Sequence, residues 1–306
     1  MLAVCSSCAA QERTLWQDPG EIERINFTHA AGPENPPRPP FHFVRERLSG
    51  TSPKVTVLDS AGVRWRVKGG PEVRAESFAT RLVGALGYHV EPTWFVARGK
   101  IDGARSLTRA IRFIRPDGSF SNASFERRDP NLKSLPEDWS WNNNPFIGTD
   151  QLNGLKVLVM LVSDWDNKDV RDRRIGSNTG IFERRIDGRE QLVYGVKDWG
   201  QTLGGWGPRL KPKTWNCERF TAQTKTFLQG RQGNHLRFGF TGQHTNDFKN
   251  DITIENVRWL MRYLDRITDT QLQSGLKASG ATPEEMACLA TQLGERIKQL
   301  RVVAGS

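Results

Sequence analysis

The sequence predicts an α+β fold of two lobes, in which a small mixed N-lobe precedes a larger and mainly helical C-lobe. Strand-like runs and one amphipathic helix follow each other within residues 49–115, which is the outline of a small mixed lobe. A strongly apolar helix then begins at residue 149, and helical patterns dominate the last third of the chain. With 306 residues, of which 37% are hydrophobic, the chain is long enough to bury two such cores.

Residues 1–48 are predicted to form a leader before the first lobe. The opening run MLAVCSSCAAQE is apolar and small and resembles the end of an export signal, although it lacks the basic region of a complete one. A Cys-bearing terminus without regular structure is the alternative. Four prolines in ENPPRPPFHF (34–43) predict an extended segment over the surface of the first lobe. The expected localisation is therefore the periplasm or cell envelope, or else the cytoplasm.

A β-hairpin and a helix are expected at the centre of the first lobe. Apolar and polar residues alternate in PKVTVL and again in VRWRVKGG, with a turn at 60–62 between the two runs. Lys68 stands at the end of the second strand. Apolar side chains then recur at four-residue spacing from Phe78 to Leu86, which predicts a helix with Glu76 in its first turns. The runs EPTWFVARG and ARSLTRAIRFI are interpreted as further strands.

Residues 116–148 predict an irregular connector, because they are rich in Pro, Asp, Asn and Ser. Trp139 and Trp141 are expected to anchor it. The second lobe is assigned to residues 149–306 and begins with the apolar helix TDQLNGLKVLVMLVSDW. After an acidic loop, IFERR and QLVYGVKDWG indicate a hairpin.

The last third of the chain carries two signals for the start of a helix. Thr268 to Gln271 and Thr282 to Glu285 both have the pattern of a capping box, the second with Pro283 at the first helical position.

The charge and the cysteines limit the classes of partner without selecting one. The net charge of +10 suits either a solvated basic surface or a protein that binds anions such as nucleotide phosphates. No RNP-type motif, zinc-finger spacing or basic zipper helix is present, so no specific nucleic-acid motif is assigned. No run is long and apolar enough to predict a transmembrane segment. The four cysteines, Cys5, Cys8, Cys217 and Cys288, leave the disulfide state open.

Several side chains stand where phosphoryl transfer would use them. This chemistry needs cations on the phosphates, carboxylates or amides on a metal, and a base near the nucleophile. Lys68 could bind phosphates with Glu76 holding it, although a surface lysine and a solvated glutamate are the plainer interpretation. The small-residue loop SGTSPK (49–54) could form an anion nest with Lys54, or it could be an ordinary turn.

Carboxylates follow two of the predicted elements. Asp164, Asp166 and Asp169 crowd the loop after the apolar helix, where a rigid scaffold would fix their positions. Asp198 follows the strand LVYGVK, and Gly200 lets the backbone turn there, which suits a metal ligand. An exposed acidic loop and an ordinary turn at the end of a strand are the respective alternatives.

The order of these segments resembles the atypical protein-kinase-like superfamily, and within it a bacterial branch. That group includes HipA-type toxin kinases, CotH-type spore-coat kinases and secretory-pathway casein kinases. SGTSPKVTV is similar to the phosphate loop and first strand of the HipA type, and WRVKGG with AESFATRLVGALGYHVEP is similar to its lysine strand and glutamate helix. LVSDWDNKD resembles the catalytic loop, and VKDWGQTLG resembles the metal-binding DFG segment. The resemblance covers about residues 49–205.

The resemblance implies an ATP- and Mg²⁺-dependent phosphotransferase that acts on an unknown protein or small-molecule acceptor. It assigns Asp166 as the catalytic residue and Asp198 as a metal ligand. It places the nucleotide against six further residues, namely Ser49, Gly50, Thr51, Lys54, Lys68 and Glu76.

The chain departs from the family pattern at the second metal ligand. Arg171 stands five residues past Asp166, where an Asn is expected, and Asp172 follows it. Asn178 stands just before the next strand and is preferred to Asp172 as the ligand. If neither reaches the metal, the protein would be a pseudokinase-type nucleotide-binding or scaffolding module. An envelope-associated structural protein is the further alternative.

Overall fold

The computed structural model describes residues 11–30, 35–48, 50, 52–127, 129, 131–186, 189–207 and 210–305. Within these ranges the protein is a mixed α/β structure. Its strands are β1 (Glu12–Thr14), β2 (Phe41–Arg47), β3 (Lys54–Leu58), β4 (Arg64–Gly69), β5 (Thr93–Asp102), β6 (Ser119–Glu126), β7 (Leu132–Ser134), β8 (Thr179–Ile186), β9 (Arg189–Val196), β10 (Gly205–Gly207), β11 (Leu210–Lys213), β12 (Leu228–Gln232) and β13 (His235–Phe238). Its α-helices are α1 (Val73–Ala85), α2 (Asp150–Leu161), α3 (Cys217–Thr224), α4 (Thr245–Lys249), α5 (Ile254–Leu264), α6 (Asp269–Ala278) and α7 (Pro283–Ala304).

A closed barrel with the strand order β2–β3–β4–β6–β5 surrounds the smaller of two hydrophobic cores. The β2–β5 pair is parallel, and the other pairs are antiparallel. Val57, Trp65 and Phe125 are among the side chains buried inside the barrel. The predicted hairpin is confirmed as β3 and β4, and the predicted helix is confirmed as α1.

The prediction of a strand over ARSLTRAIRFI (104–114) is wrong. This segment is a loop with a 3-10 turn at Ala110–Arg112. The backbone N–H groups of Thr108, Arg109 and Ala110 all donate to the carboxylate of Glu46, at 2.6 to 2.7 Å. The Glu46 carboxylate therefore occupies backbone N–H groups that a strand would have used to pair with a neighbouring strand.

The connector predicted to be irregular over residues 116–148 contains two strands. β6 pairs with β4 and β5 inside the barrel, and β7 pairs with β8. Gly118, at φ +84°, makes the turn before β6 with a backbone conformation that favours glycine. The indole rings of Trp139 and Trp141 are buried, as expected of anchors.

The leader does not simply lie over the surface of the first lobe, because parts of it form paired strands and parts are buried. Its proline run ends at β2, whose residues 41–47 form a barrel strand with β3 and β5 as partners. β1 pairs in parallel with β9 instead of lying on the barrel. Ile22 and Phe27 are buried in the larger core, where Gln271 of α6 donates to the Ile22 carbonyl at 2.8 Å.

The larger core surrounds α2, which is buried along nearly its whole length and packs against α5 and α7. Thr149 is the N-cap of the helix, and its side chain accepts from the Leu152 N–H; the helix ends at Leu161 rather than at residue 165. Ser163, at φ +53°, turns the chain out of the helix. This early end releases Asp164 and Asp166 into the following loop.

The other predicted elements of the second half are confirmed. IFERR and QLVYGV lie in the hairpin strands β8 and β9, in the sheet order β1–β9–β8–β7. The capping boxes at Thr268 and Thr282 open α6 and α7.

Two of the cysteines meet across the helical part of the protein. Cys217, at the start of α3, forms a disulfide with Cys288 of α7, across a Cα–Cα distance of 6.2 Å. Cys5 and Cys8 lie outside the described residues. Across the helices that the structure describes, none combines the length and the apolar character needed to span a membrane.

Candidate functional site

Lys68 of β4 lies at the centre of a cluster of carboxylates from separate parts of the chain. Its Nζ is 2.7 Å from Glu72 Oε2, 3.4 Å from Glu76 Oε1 and 3.6 Å from Asp198 Oδ2. Burial alone would lower the pKa of Lys68, but Asp198, Glu76 and Glu72 outweigh burial and raise it well above the ordinary value. The side chain is therefore a fixed positive charge at neutral pH.

Glu76 is held in the first turn of α1, with its carboxylate against the barrel. Ser124 of β6 donates to Oε2 at 3.4 Å, while Oε1 faces Lys68. Burial raises the pKa of Glu76 to about 7, and the nearby carboxylates of Asp198, Glu126 and Glu72 add to this effect against the opposing charge of Lys68. The cluster thus holds a carboxyl group that titrates near neutral pH.

Asp198 reaches Lys68 from the turn that follows β9. The Gly200 N–H donates to Oδ1 at 2.9 Å, and 37% of the side-chain surface remains exposed. Burial tends to raise the pKa of Asp198, but Lys68, the Gly200 N–H, Lys54 and Lys168 together lower it. Asp198 is consequently a partly open carboxylate, in a charge state that suits a cation.

Asp166 and Asn178 contact each other beside this turn. The Asn178 side-chain amide donates to the backbone carbonyl of Asp166 and, at 3.2 Å, to its Oδ2. Lys168 Nζ lies 3.0 Å from the same Oδ2. The backbone N–H of Lys197 donates to the Asn178 carbonyl at 2.6 Å. Asn178 therefore lies opposite Lys197, the residue directly before Asp198. Asp166, the predicted catalytic residue, and Asn178, the predicted second metal ligand, therefore lie beside Asp198, the predicted first metal ligand. We call these three residues, together with Asp164, the acidic edge.

Asp164 completes the acidic edge from beneath. It is almost fully buried, and the Asp166 N–H donates to its Oδ1 at 3.2 Å. Burial raises the pKa of Asp164 well above the ordinary value, and the charges of Asp166 and Asp198 raise it further. Protonation of Asp164 would remove its own repulsion with Asp166 and Asp198.

The predicted phosphate loop is only partly described. Ser49 and Thr51 lie outside the described residues. Arg109 Nη1 donates to the carbonyls of Leu48, at 2.7 Å, and Gly50, at 2.8 Å. Gly50 has φ +78°, and a Cβ there would stand 3.1 Å from Lys54 Nζ. The positive φ favours glycine at this position, whereas the contact with Lys54 would require only a small shift of a flexible side chain.

Lys54 adds a second positive charge to the site. It opens β3 directly opposite Lys68 on β4. Burial lowers the pKa of Lys54, and the charges of Lys68 and Arg66 lower it further.

Sequence reasoning missed Glu72, which is the nearest carboxylate to Lys68. It also accepts hydrogen bonds from Ser52 Oγ, at 3.2 Å, and from Gln201 Nε2, at 2.8 Å. These contacts link the loop before β3 to the turn after Asp198. The one available signal was its place at the start of α1, four residues after Lys68, which many surface glutamates share.

Asp172 lies in a different cluster from Asn178. Its Oδ2 accepts from the Asp169 N–H at 2.9 Å and lies 2.6 Å from His244 Nε2. Single ligand atoms of Asp169, Asp172 and His244 lie within 4.8 Å of one another, which is a spacing that a metal ion could bridge. However, Arg171 already donates to both carboxylate oxygens of Asp169, so this cluster is a network of ion pairs.

No protein-family model matches the sequence, and no curated protein matches it. Among solved structures, the chain is similar to the crystal structure of the Golgi casein kinase, with a TM-score of 0.38 and 10% identity over 89% of this chain and 73% of that one. The crystal structure of the Golgi casein kinase with Mn/ADP bound gives the same TM-score and identity, over 88% of this chain and 73% of that one.

Proposed function

We propose that the protein is an ATP- and Mg²⁺-dependent phosphotransferase with a two-lobed, kinase-like fold. The observation that carries the proposal is the meeting of Lys68, Glu76 and Asp198, from β4, α1 and the turn after β9. A buried cation held by a helical glutamate, beside a partly open aspartate, suits the binding of phosphates together with a metal. The nucleotide would lie between the barrel and the part of the protein built around α2.

The residues at the acidic edge fit Mg²⁺. This ion prefers oxygen ligands and is commonly held by one or two carboxylates together with phosphates. Asp198 offers a carboxylate that is 37% exposed. Asn178 uses its amide nitrogen toward Asp166, which leaves its side-chain oxygen for a ligand. When bound, the ion would neutralise negative charge on the phosphates.

The chain's own groups would divide the remaining tasks. Lys68 and Lys54 would hold phosphate oxygens, with Glu72 and Glu76 fixing the position of Lys68. Asp166 would orient the acceptor hydroxyl and take its proton as the hydroxyl oxygen bonds to the γ-phosphorus and ADP leaves. Lys168, 3.0 Å from Asp166, would hold that carboxylate in place.

The test compares two aspartate variants of the purified protein. Asp198→Asn should abolish the Mg²⁺-dependent thermal shift with ATP, whereas Asp166→Asn should keep the shift and lose turnover by about 100-fold or more. Asp102→Asn, at an exposed end of β5, is the matched control and should behave as the wild type. Unchanged turnover in Asp198→Asn would overturn the proposal.

A nucleotide-binding module without transfer is the second candidate. It is favoured by the contacts of Asp166, because Lys168 Nζ and the Asn178 side-chain amide both lie against the same Oδ2 that would have to take the proton. This candidate predicts a thermal shift with Mg²⁺ and ATP but no ATP hydrolysis or autophosphorylation. The absence of any response to nucleotide would instead favour a structural protein of the envelope.

We also propose that the protein acts in the periplasm or cell envelope. The disulfide between Cys217 and Cys288 supports this localisation, because such bonds persist mainly in oxidising compartments. Finding the two cysteines reduced in protein isolated under thiol-trapping conditions would favour the cytoplasm.

A further inference from the structure

A cavity of about 520 Å³ opens on the outer face of the barrel, next to the Lys68 cluster. Its lining includes five arginines and a single carboxylate, that of Glu126. The arginines are Arg45, Arg47, Arg64, Arg66 and Arg127. We call this feature the arginine cavity.

The register of the barrel fixes the place of the arginine cavity. Lys54 pairs with Lys68, and the next pair on the same face of β3 and β4 is Thr56 with Arg66. Two residues along a strand correspond to about 7 Å, so the cavity lies one row of side chains from Lys68. It is therefore adjacent to the candidate phosphate site but is built from different side chains.

The charge of the arginine cavity is strongly unbalanced. Arg66 Nη1 donates to Glu126 Oε2 at 3.0 Å and lies 3.8 Å from Glu91. Its Nε and Nη2 are buried without a hydrogen-bond partner among the described residues. Arg45 and Arg64 are exposed at the rim. Five guanidinium groups and one carboxylate line the cavity, so the net charge of its lining is positive.

We propose that the arginine cavity binds a small molecule that carries several phosphate groups. Guanidinium groups match phosphate oxygens with paired hydrogen bonds, and several of them in one concave site favour a polyanion over a single anion. A polyphosphate chain fits within the volume of the cavity. This site does not depend on whether the Lys68 cluster transfers phosphate.

The experiment titrates inorganic tripolyphosphate into the full chain and measures the heat of binding. The double variant Arg45→Gln, Arg64→Gln should weaken binding by about tenfold or more, since each charge-assisted hydrogen bond to phosphate contributes strongly. The control Arg105→Gln, Arg112→Gln removes the same charge from exposed positions outside the cavity and should change the affinity less than twofold.

A third variant separates the arginine cavity from the Lys68 cluster. Lys68→Met should weaken tripolyphosphate binding less than the Arg45, Arg64 double variant does, because Lys68 does not line the cavity. If Lys68→Met loses binding while the Arg45, Arg64 double variant keeps it, the proposal is overturned and the affinity belongs to the candidate phosphotransfer site. Equal weakening by the Arg105, Arg112 control would also overturn it, since binding would then follow net charge alone.

A competition arm identifies the source of the phosphate groups. In the presence of saturating Mg²⁺ and ATP, displacement of tripolyphosphate supports a cavity that takes the phosphate chain of the nucleotide. Unchanged binding under the same conditions supports a second phosphorylated molecule in the cavity.

Discussion

Lys68 Nζ lies 3.6 Å from Asp198 Oδ2, and this contact joins the barrel strand β4 to the turn after β9. Glu72 and Glu76 hold the same ammonium at 2.7 and 3.4 Å. Three carboxylates around one buried cation make the cluster sensitive to the loss of that cation.

Replacement of Lys68 by Met should lower the free energy of unfolding by about 3 kcal/mol at pH 8, because three carboxylates would face each other without a cation. The loss should be smaller at pH 5.5. Glu76 already has a raised pKa of about 7, and a carboxyl with a raised folded-state pKa favours folding at low pH. Urea unfolding at both pH values measures the difference. Lys100→Met, at an exposed pair with Asp102, should change stability by less than about 0.5 kcal/mol; equal losses in the two variants would contradict the prediction.

Glu76→Gln should remove one source of pH dependence. The pKa of Glu76 rises from 4.5 in the unfolded chain to about 7 in the folded protein. The folded state therefore binds more protons over this interval, and the contribution of Glu76 to stability is lost as the pH rises from 4.5 to 7. The variant should gain stability relative to the wild type, on the order of 1–2 kcal/mol, between pH 5 and pH 7.5. A stability difference that stays constant over that range would refute the assignment.

Arg296 of α7 should be essential for the loop that carries Asp164. Its buried guanidinium donates to the carbonyls of Met160 and Leu161 and, at 2.7 Å, to Ser163 Oγ. Arg296→Met would leave these acceptors unpaired at the end of α2, and should destabilise the protein by about 3 kcal/mol or more.

Arg301→Met is the matched control for Arg296, because Arg301 lies on the same helix in an exposed pair with Asp265. Its effect on urea unfolding should stay below about 1 kcal/mol. Similar midpoints for the two variants would show that the buried contacts of Arg296 add little.

The disulfide should stabilise the helical part of the protein. Cys217 and Cys288 are separated by 71 residues, so the bond closes a long loop in the unfolded chain. The double variant Cys217→Ser, Cys288→Ser should lose about 2–4 kcal/mol of stability. A reducing agent should lower the Tm of the wild type toward that of the variant and leave the variant unchanged. If the reductant lowers the Tm of both proteins equally, the effect has another source.

Local patterns in the sequence predicted the elements whose signals are local. The alternation through Val55 and Val57 predicted β3, and the capping residues Thr268 and Thr282 predicted the starts of α6 and α7. The strand predicted for residues 104–114 failed because of a distant contact. Glu46 removes the backbone donors that would have made 104–114 a strand, and it lies far from that segment along the chain.

In the candidate site, too, local patterns could be predicted from the sequence and contacts between distant residues could not. The segments that carry Lys68, Glu76, Asp166, Asn178 and Asp198 could be singled out from the sequence, because each lies in or next to a strand or helix with a clear pattern. Glu72, the closest partner of Lys68, could not be singled out, since a glutamate at the start of a helix is common on protein surfaces.

By itself the sequence determined the alternating strands, the amphipathic helices and the types of side chain available at their ends. Only the tertiary structure decided that β6 enters the barrel, that Cys217 meets Cys288 and that three carboxylates share Lys68. The physical reason is the distance along the chain over which each kind of interaction acts. Periodicity and capping act within a few residues, whereas ion pairs, disulfides and strand pairing depend on which distant segments the core brings together.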